Sequence, residues 1–449
     1  MLMLNKQRLS QWANAANGEL IGDDAIISNV STDTRDLKAG DVYVALRGEY
    51  FDGHHYLRTA IEKGAAALVV EQEVADIAIP QLVVENSKRA LGSLAELLRQ
   101  QFTGQVIALT GSVGKTSTRA MLQNILAIQP GLLATPGNYN NDIGVPKTWF
   151  QLTEKHNRVL LEFGANAPGE IEWLGAFSKP HISLLLNAGE AHTEGFGGIE
   201  GVRRAKGEII SATMNDGGCV LNREDPAFTH WLKRSGSREV VTFGKHSDAD
   251  VCLLSFKNLS DGSEFILSMP DGDMSVTWSM LGIHMAMNAT AAAAVAWLAG
   301  VSSLDIVQGL SEMKPEPGRL EPVESAFGGA LLNDAYNANP VSYKAAIDVL
   351  AELGNNTILI AGDMAELGEE SEALHREVGQ YARGKIQNIF CIGHQSKQIA
   401  DAFGGSHFSS LEELLAALSA MLTKETAVLV KGSRSAGMER VVNALRRKA

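Results

Sequence analysis

Cysteine is scarce: Cys219, Cys252 and Cys391 are the only three in 449 residues, widely separated and odd in number. That pattern excludes a disulfide framework and cysteine-ligand metal spacing, and predicts thiols kept reduced in the cytoplasm. Positive charge is also short, with 39 Lys and Arg against 52 Asp and Glu and a net charge of -13. A nucleic-acid partner is therefore not expected, because such binding draws on Lys and Arg that neutralise phosphates. Small anionic substrates stay open through local basic sites. No apolar run approaches membrane-spanning length, and the start "MLMLNKQRLSQWANAANG" lacks the basic head and apolar core of a leader. Internal repeats and low-complexity tracts are absent as well.

What is present is a soluble, globular composition, 45% hydrophobic and 20% charged. At roughly 150 residues per domain the length predicts three domains. Residues 1–103 mix short strands ("DVYVAL", "AALVVE", "PQLVVE") with amphipathic helices, a small α/β domain. Residues 104–314 alternate continuous apolar strands ("QVIALT", "RVLLEFG", "HISLLLN") with helices, the mark of a mostly parallel sheet buried on both faces. Between about 238 and 280, turn signals such as "DGSEF" and "PDGDM" predict flanking antiparallel strands, followed by the Ala-rich helix "MNATAAAAVAWLAG". After the hinge-like "KPEPGR", residues 315–449 resume the alternation ("ALLND", "NTILIAGD", "NIFCIG", "AVLVKG") as a Rossmann-like doubly wound domain.

Between "QVIAL" and a helix-like segment stands "TGSVGKTST", residues Thr110, Gly111, Ser112, Val113, Gly114, Lys115, Thr116 and Ser117 onward. It departs from G-x-x-x-x-G-K-[ST] by one glycine, since Leu109 occupies the first position. The strand–loop–helix setting still supplies an anion site from backbone N–H groups and a helix N-terminus. There Lys115 would reach terminal phosphates and Thr116 would ligate Mg²⁺. Glu162 ends a buried strand, where a carboxylate is costly unless paired or metal-bound.

The loop is similar to those of the Mur ligase family, ATP-dependent amide-forming enzymes of peptidoglycan synthesis. The resemblance extends in order along the whole chain through "GNYNNDIGVP", "LEFGAN", "NAGEAHTEGFG", "AKGEI", "NDAYNANP", "GDMAELG" and "VLVKGSRSAGME". "NNDIGVP", "AHTEGFG" and "YNANP" look like the member that adds D-alanyl-D-alanine to UDP-N-acetylmuramoyl-tripeptide. The resemblance implies three domains, for UDP-sugar, ATP and the incoming ligand, in a cytoplasmic monomer with ATP, two Mg²⁺ ions and an acyl-phosphate intermediate.

By the same resemblance, Lys115, Glu162, His192 and Lys206 are the catalytic set. Thr116, Glu162, His192 and Lys206, the last as a CO₂-derived carbamate, hold metal. Asn288, Arg319 and Asp334 join the loop in binding ATP, with His284 on the same helix face as Asn288. Substrate contacts are expected from Ser31, Thr32, Arg35 and Arg47 for the uridine diphosphate, and from Asn138, Asn141 and Asp142. Tyr336, Asn337, Asn339, Lys431, Ser433 and Arg434 are expected around the dipeptide. Residue chemistry alone leaves ordinary alternatives open: a solvated His192, an exposed helix lysine at Lys206, helix capping by His284 and Asn288, and turn roles for the N-terminal and C-terminal loops. Two other functions also remain: a sister ligase adding a single amino acid, including to folate, and a non-catalytic nucleotide-binding homologue. The nature of the tripeptide's third residue, diaminopimelate or lysine, is not encoded in any motif.

Overall fold

A computed structural model describes residues 2–189, 193–259 and 262–447. Among these, the strands form three sheets, in the order in which the chain runs. The first has five strands in the spatial order Glu19–Ile21, Gln81–Val83, Ala67–Val70, Val42–Val44 and Val30–Ser31, parallel except at the first edge. Its helix Ser87–Gln101, capped by the Asn86 side chain, buries Leu91, Leu94 and Leu98.

The central sheet has nine strands. Gln105–Thr110 lies between Ile182–Leu185 and Arg158–Glu162, all parallel, with Leu109 beside both Leu184 and Glu162. All five residues from Val106 to Thr110 are buried, as a strand covered on both faces requires. Leu132–Ala134 pairs in parallel outside Arg158–Glu162, Gly218–Asn222 and Glu239–Gly244 continue the parallel pairing on the other side, and Val251–Leu259, Gly262–Met269 and Gly272–Trp278 complete the sheet as an antiparallel meander. The antiparallel part thus starts later than about residue 238, since Glu239–Gly244 pairs in parallel on both sides. The Ala-rich helix Ile283–Leu298 is small-sided because it is packed all round: Ala289 and Ala291–Ala294 are fully buried. A Cβ on Gly309 would stand 2.6 Å from Ile125 Cα, so helix Ser303–Ser311 meets helix Lys115–Leu126 at a separation that only glycine permits.

The C-terminal sheet runs Glu321–Glu324, Ala330–Asp334, Ala427–Lys431, Thr357–Ala361, Asn388–Ile392 and Ser406–Phe408, parallel except for the first edge strand. Separate apolar cores cover its two faces. Ala427–Lys431 is inserted between Ala330–Asp334 and Thr357–Ala361, and the chain reversal there opens a crevice at the carboxyl ends of these strands.

Candidate active site

The register of three central strands assembles the phosphate loop. Because Gln105–Thr110 lies between its two neighbours, the loop beyond Thr110 has the end of Arg158–Glu162 on one side and residues 186–189 on the other. Asn187 fixes the second side: its Oδ1 accepts from Val113 N–H (3.0 Å) and its Nδ2 donates to Val113 O (3.1 Å). Ser112 Oγ donates to Gly189 O and accepts from Gly189 N–H, both at 3.0 Å. Thr110 Oγ1 donates to Phe163 O (2.7 Å), tying the loop's base to the other side. Gly114 is left-handed (φ 84°) and starts the helix, and an added Cβ would lie 2.5 Å from Asn288 Oδ1. That contact brings Asn288 to the loop; Ser117 is buried in the first helical turn.

Lys115 Nζ turns back onto Gly111 O (2.7 Å) and Ser112 O (3.3 Å). Its pKa is lowered chiefly by desolvation; Glu162 opposes the shift and Arg319 adds to it. Glu162 is fully buried, accepting from Asn140 Nδ2 (2.8 Å), Thr116 Oγ1 (3.3 Å) and Arg119 Nε (3.3 Å). A carboxylate and a hydroxyl side by side at a phosphate loop form an oxygen donor set that suits a hard divalent cation. Lys206 is 2% exposed, with Nζ 3.4 Å from Ala165 O and 5.2 Å from the centre of the Phe196 ring. Burial, reinforced by Lys115, pushes its pKa down to about 7. No ion pair among the described residues reaches it. His192 lies outside the described residues.

A cavity of about 660 Å³ lies where the three sheets' domains meet. Lys88 lines it from the N-terminal domain; Lys115, Thr116, Asn138, Asn140, Asn141, Asp142 and Glu162 line it from the central one. Arg319, Tyr336, Asn337, Asn339, Glu366 and Lys431 line it from the C-terminal side. Lys88, Lys115, Arg319 and Lys431 thus share this cavity with the carboxylates of Asp142, Glu162, Glu170 and Glu366. Glu366, in a left-handed conformation (φ 60°), places a carboxylate on the C-terminal wall. A second cavity of about 360 Å³ runs from Gly114 past Asn187, His284 and Asn288 to Arg319 and Asp334, a shape and lining suited to a nucleoside. His284 there is held neutral by burial, its pKa pushed down to about 4. The Arg319 guanidinium stacks 4.4 Å from the centre of the Tyr336 ring.

Several residues expected at the substrates are held by other groups of the protein. Lys431 is 2% exposed, and its ammonium bonds Asp334 Oδ2 (2.6 Å) and Asn337 O (3.0 Å). Asp334 Oδ1 also accepts from Leu320 N–H (3.1 Å). Lys431, expected at the dipeptide carboxylate, is thus the buried partner of Asp334 while lining the junction cavity. Asn339 caps helix Pro340–Glu352 through Oδ1 and Ser342 N–H (2.8 Å), and Asn141 Oδ1 likewise accepts from Gly144 N–H (2.9 Å). Asp142 pairs with Lys88 (2.9 Å). Ser433 is buried against Ser435 (3.1 Å), and Arg434 pairs with Glu439 (2.6 Å) on the hinge side.

In the N-terminal domain, a cavity of about 470 Å³ is lined by Thr32, Asp33, Thr34, Arg35, Tyr43, Phe51 and Tyr56. Phe51 and Tyr56 stack at 5.4 Å. Arg35 is held by Asp33 (2.6 Å), and Ser31 Oγ donates to Asp33 O (2.9 Å) beneath the pocket. Arg47, expected at the uridine diphosphate, bonds Asp52 (3.1 Å) and Glu71 (3.3 Å) and lines a different cavity, of about 520 Å³, toward Lys88 and Trp173. The side chains that sequence reading missed are Arg119, Asn140, Asn187 and Glu366. Asn187 carried a signal, as a polar residue closing the buried strand "HISLLLN".

The fold and site define a phosphate-loop ligase built from three α/β domains. Residues 26–99 match the Mur ligase family catalytic domain, 109–296 the Mur ligase middle domain, and 318–434 the Mur ligase glutamate ligase domain. The UDP-N-acetylmuramoyl-tripeptide--D-alanyl-D-alanine ligase of Escherichia coli K12 is 42% identical over 97% of this chain and 98% of its own. A crystal structure of MurF from Acinetobacter baumannii superimposes with a TM-score of 0.92 at 32% identity, covering 97% of this chain and 98% of that one. MurF ligase from Thermotoga maritima in complex with ADP gives a TM-score of 0.85 at 28% identity, over 92% and 96% of the two chains. This chain belongs to the Mur ligase family.

Proposed function

We propose that this chain is the ATP-dependent ligase that joins D-alanyl-D-alanine to the terminal carboxylate of UDP-N-acetylmuramoyl-tripeptide, acting as a cytoplasmic monomer in peptidoglycan precursor synthesis. The observation that carries the reading is the cavity between the phosphate loop and the C-terminal domain, lined by Lys115, Thr116, Glu162 and Arg319, in a chain that aligns end to end with ligases of that name. Among the described residues, no helix is long and apolar enough to cross a membrane. Residues 1–103 would take the UDP-sugar, 104–314 the ATP and 315–449 the dipeptide.

Joining a carboxylate to an amine in water is unfavourable, so the carboxylate first needs a better leaving group. The tripeptide carboxylate attacks the γ-phosphorus of ATP, giving an acyl phosphate and ADP. The dipeptide amine, having lost its proton, then attacks the acyl carbon, and the tetrahedral intermediate collapses to amide and phosphate. Transfer between anions is a problem of positioning and electrostatics, which suits a site made of Lys115, Arg319 and backbone N–H groups rather than a nucleophilic side chain. Thr116 and Glu162 would hold one Mg²⁺, which supplies charge neutralisation between donor and acceptor. Lys206 fits carbamate formation: a buried lysine with a pKa of about 7 has a substantial neutral fraction, the form that adds CO₂ and loses a proton. Its oxygens, with His192, would serve a second ion.

Phosphate release with UDP-N-acetylmuramoyl-tripeptide, ATP and Mg²⁺ tests the assignment. Release that requires D-alanyl-D-alanine supports it. Equal release with single amino acids, or none with the dipeptide, refutes it.

A further inference from the structure

We infer that Arg119 and Glu316 couple the carboxylate of Glu162 to the hinge, so that loading the phosphate-loop site frees Arg319 for the nucleotide. The inference rests on the reading of Thr116 and Glu162 as metal ligands. Arg119 lies outside every motif singled out from the sequence, and Glu316 stands within the hinge-like "KPEPGR".

Four charges alternate in sign from the buried strand end to the C-terminal domain. Arg119 is only 6% exposed. Its Nε is 3.3 Å from Glu162 Oε2, its Nη1 donates to Gln123 Oε1 (3.0 Å), and its Nη2 is 3.9 Å from Glu316 Oε1. The other oxygen of Glu316 is 3.7 Å from Arg319 Nε. Glu316 belongs to the segment between helix Ser303–Ser311 and strand Glu321–Glu324, where the chain passes between domains. Both of its contacts are longer than a hydrogen bond, so one carboxylate is shared loosely between two guanidiniums. A cavity of about 590 Å³ adjoins these side chains and gives them room to rearrange.

Arg119 is the resident countercharge of Glu162. When a divalent cation is shared by Thr116 and Glu162, the attraction between Glu162 and Arg119 falls and the two cations repel. Arg119 then turns toward Glu316, whose hold on Arg319 weakens. Arg319 already lines both the junction cavity and the nucleoside cavity, so its guanidinium is released where phosphates would lie. The two arrangements keep the same number of paired charges and differ in which guanidinium Glu316 holds. Metal affinity and hinge position are then linked reciprocally, as in any coupling of two sites.

The test uses the full chain labelled with a donor and an acceptor fluorophore on the surfaces of the central and C-terminal domains. A non-hydrolysable ATP analogue is added in EDTA and across a Mg²⁺ titration. In the wild type, Mg²⁺ should increase closure. E316Q releases Arg319 without metal, so analogue affinity in EDTA should tighten about 5-fold or more, with a matching loss of the Mg²⁺ effect on closure. R119M should lose the Mg²⁺ effect and R119K should keep most of it, which a merely structural role for Arg119 would not predict. Should R119M fail to fold, E316Q decides alone, since the Glu316 side chain is 30% exposed. Wild-type metal dependence in E316Q, or closure of the wild type that ignores Mg²⁺, overturns the inference. Failure of the ligase reading is separable, because it appears as absent dipeptide-dependent phosphate release with the coupling intact.

Discussion

Replacing Lys206 with methionine should raise the melting temperature of the central domain at neutral pH, provided CO₂ and metal are removed. The replacement is apolar and loses one heavy atom, the charge and the ammonium's contact with the Phe196 ring. Burial lowers the lysine pKa from 10.5 to about 7. At about 1.4 kcal/mol per unit, that shift amounts to about 5 kcal/mol of native-state cost for the ammonium. The lost contact with the Phe196 ring returns about 1 kcal/mol of this. The sign follows from linkage: between pH 7 and 10.5 the unfolded lysine binds a proton that the folded one has released, so wild-type stability rises with pH in that window. Below pH 7 both states are protonated and the full cost stands. The advantage of K206M should therefore be largest at or below pH 7 and shrink by about 1.4 kcal/mol per unit toward pH 10. With 2–4 °C per kcal/mol for a domain of about 200 residues, scanning calorimetry should see the gap narrow by about 10 °C between pH 7 and 10. Groups common to both proteins cancel in the difference. A gap that stays constant with pH, or a wild type more stable than K206M throughout, would refute the account of a buried, desolvated ammonium.

Lys115→Met should lower kcat about 100-fold or more while leaving the melting temperature within a few degrees, measured by phosphate release and calorimetry. Gly114→Ala forces a Cβ into left-handed backbone and onto Asn288, and should weaken ATP-analogue binding in an equilibrium titration, with about 1–2 kcal/mol lost in stability. Asn187→Leu removes both bonds that clamp Val113 and leaves its N–H unpaired; nucleotide affinity should fall about 10-fold in the same titration. Lys431→Met leaves the partly buried Asp334 carboxylate without its cation and should destabilise the C-terminal domain by about 2–4 kcal/mol in urea melts. Adding Asp334→Asn should recover part of that loss, whereas a lysine used only for substrate would show a KM effect and normal stability.

What could be read from the sequence, and what could not, divides by whether the chemistry is local. "TGSVGKTST" announces itself because glycine, lysine and threonine act within one turn, and the apolar strand before it fixes their direction. The three α/β segments were legible for the same reason, since a strand buried on both faces writes a continuous apolar run. Arg119 and Asn140 could not be read, because their bonds to Glu162 depend on Gln105–Thr110 having Arg158–Glu162 as its neighbour, an order that no run of residues encodes.

Lys431 and Asn339 show the converse. Each has a side chain suited to a ligand and stands in a Gly- or Asn-rich loop after a strand, yet folding places a carboxylate or a helix start within its reach. Polar chemistry near a site is first claimed by the protein's own unsatisfied groups, and only what is left over faces substrate. Lys206 marks the opposite extreme: a lysine taken into the interior with no carboxylate bonded to its ammonium among the described residues. A fold that tolerates about 5 kcal/mol of strain at that position makes sense if the ammonium is not the form that functions. Under the proposed function, carbamylation would replace the penalised cation with an anion beside Lys115 and the proposed metal ligands, so that the same burial would strengthen metal binding rather than oppose it.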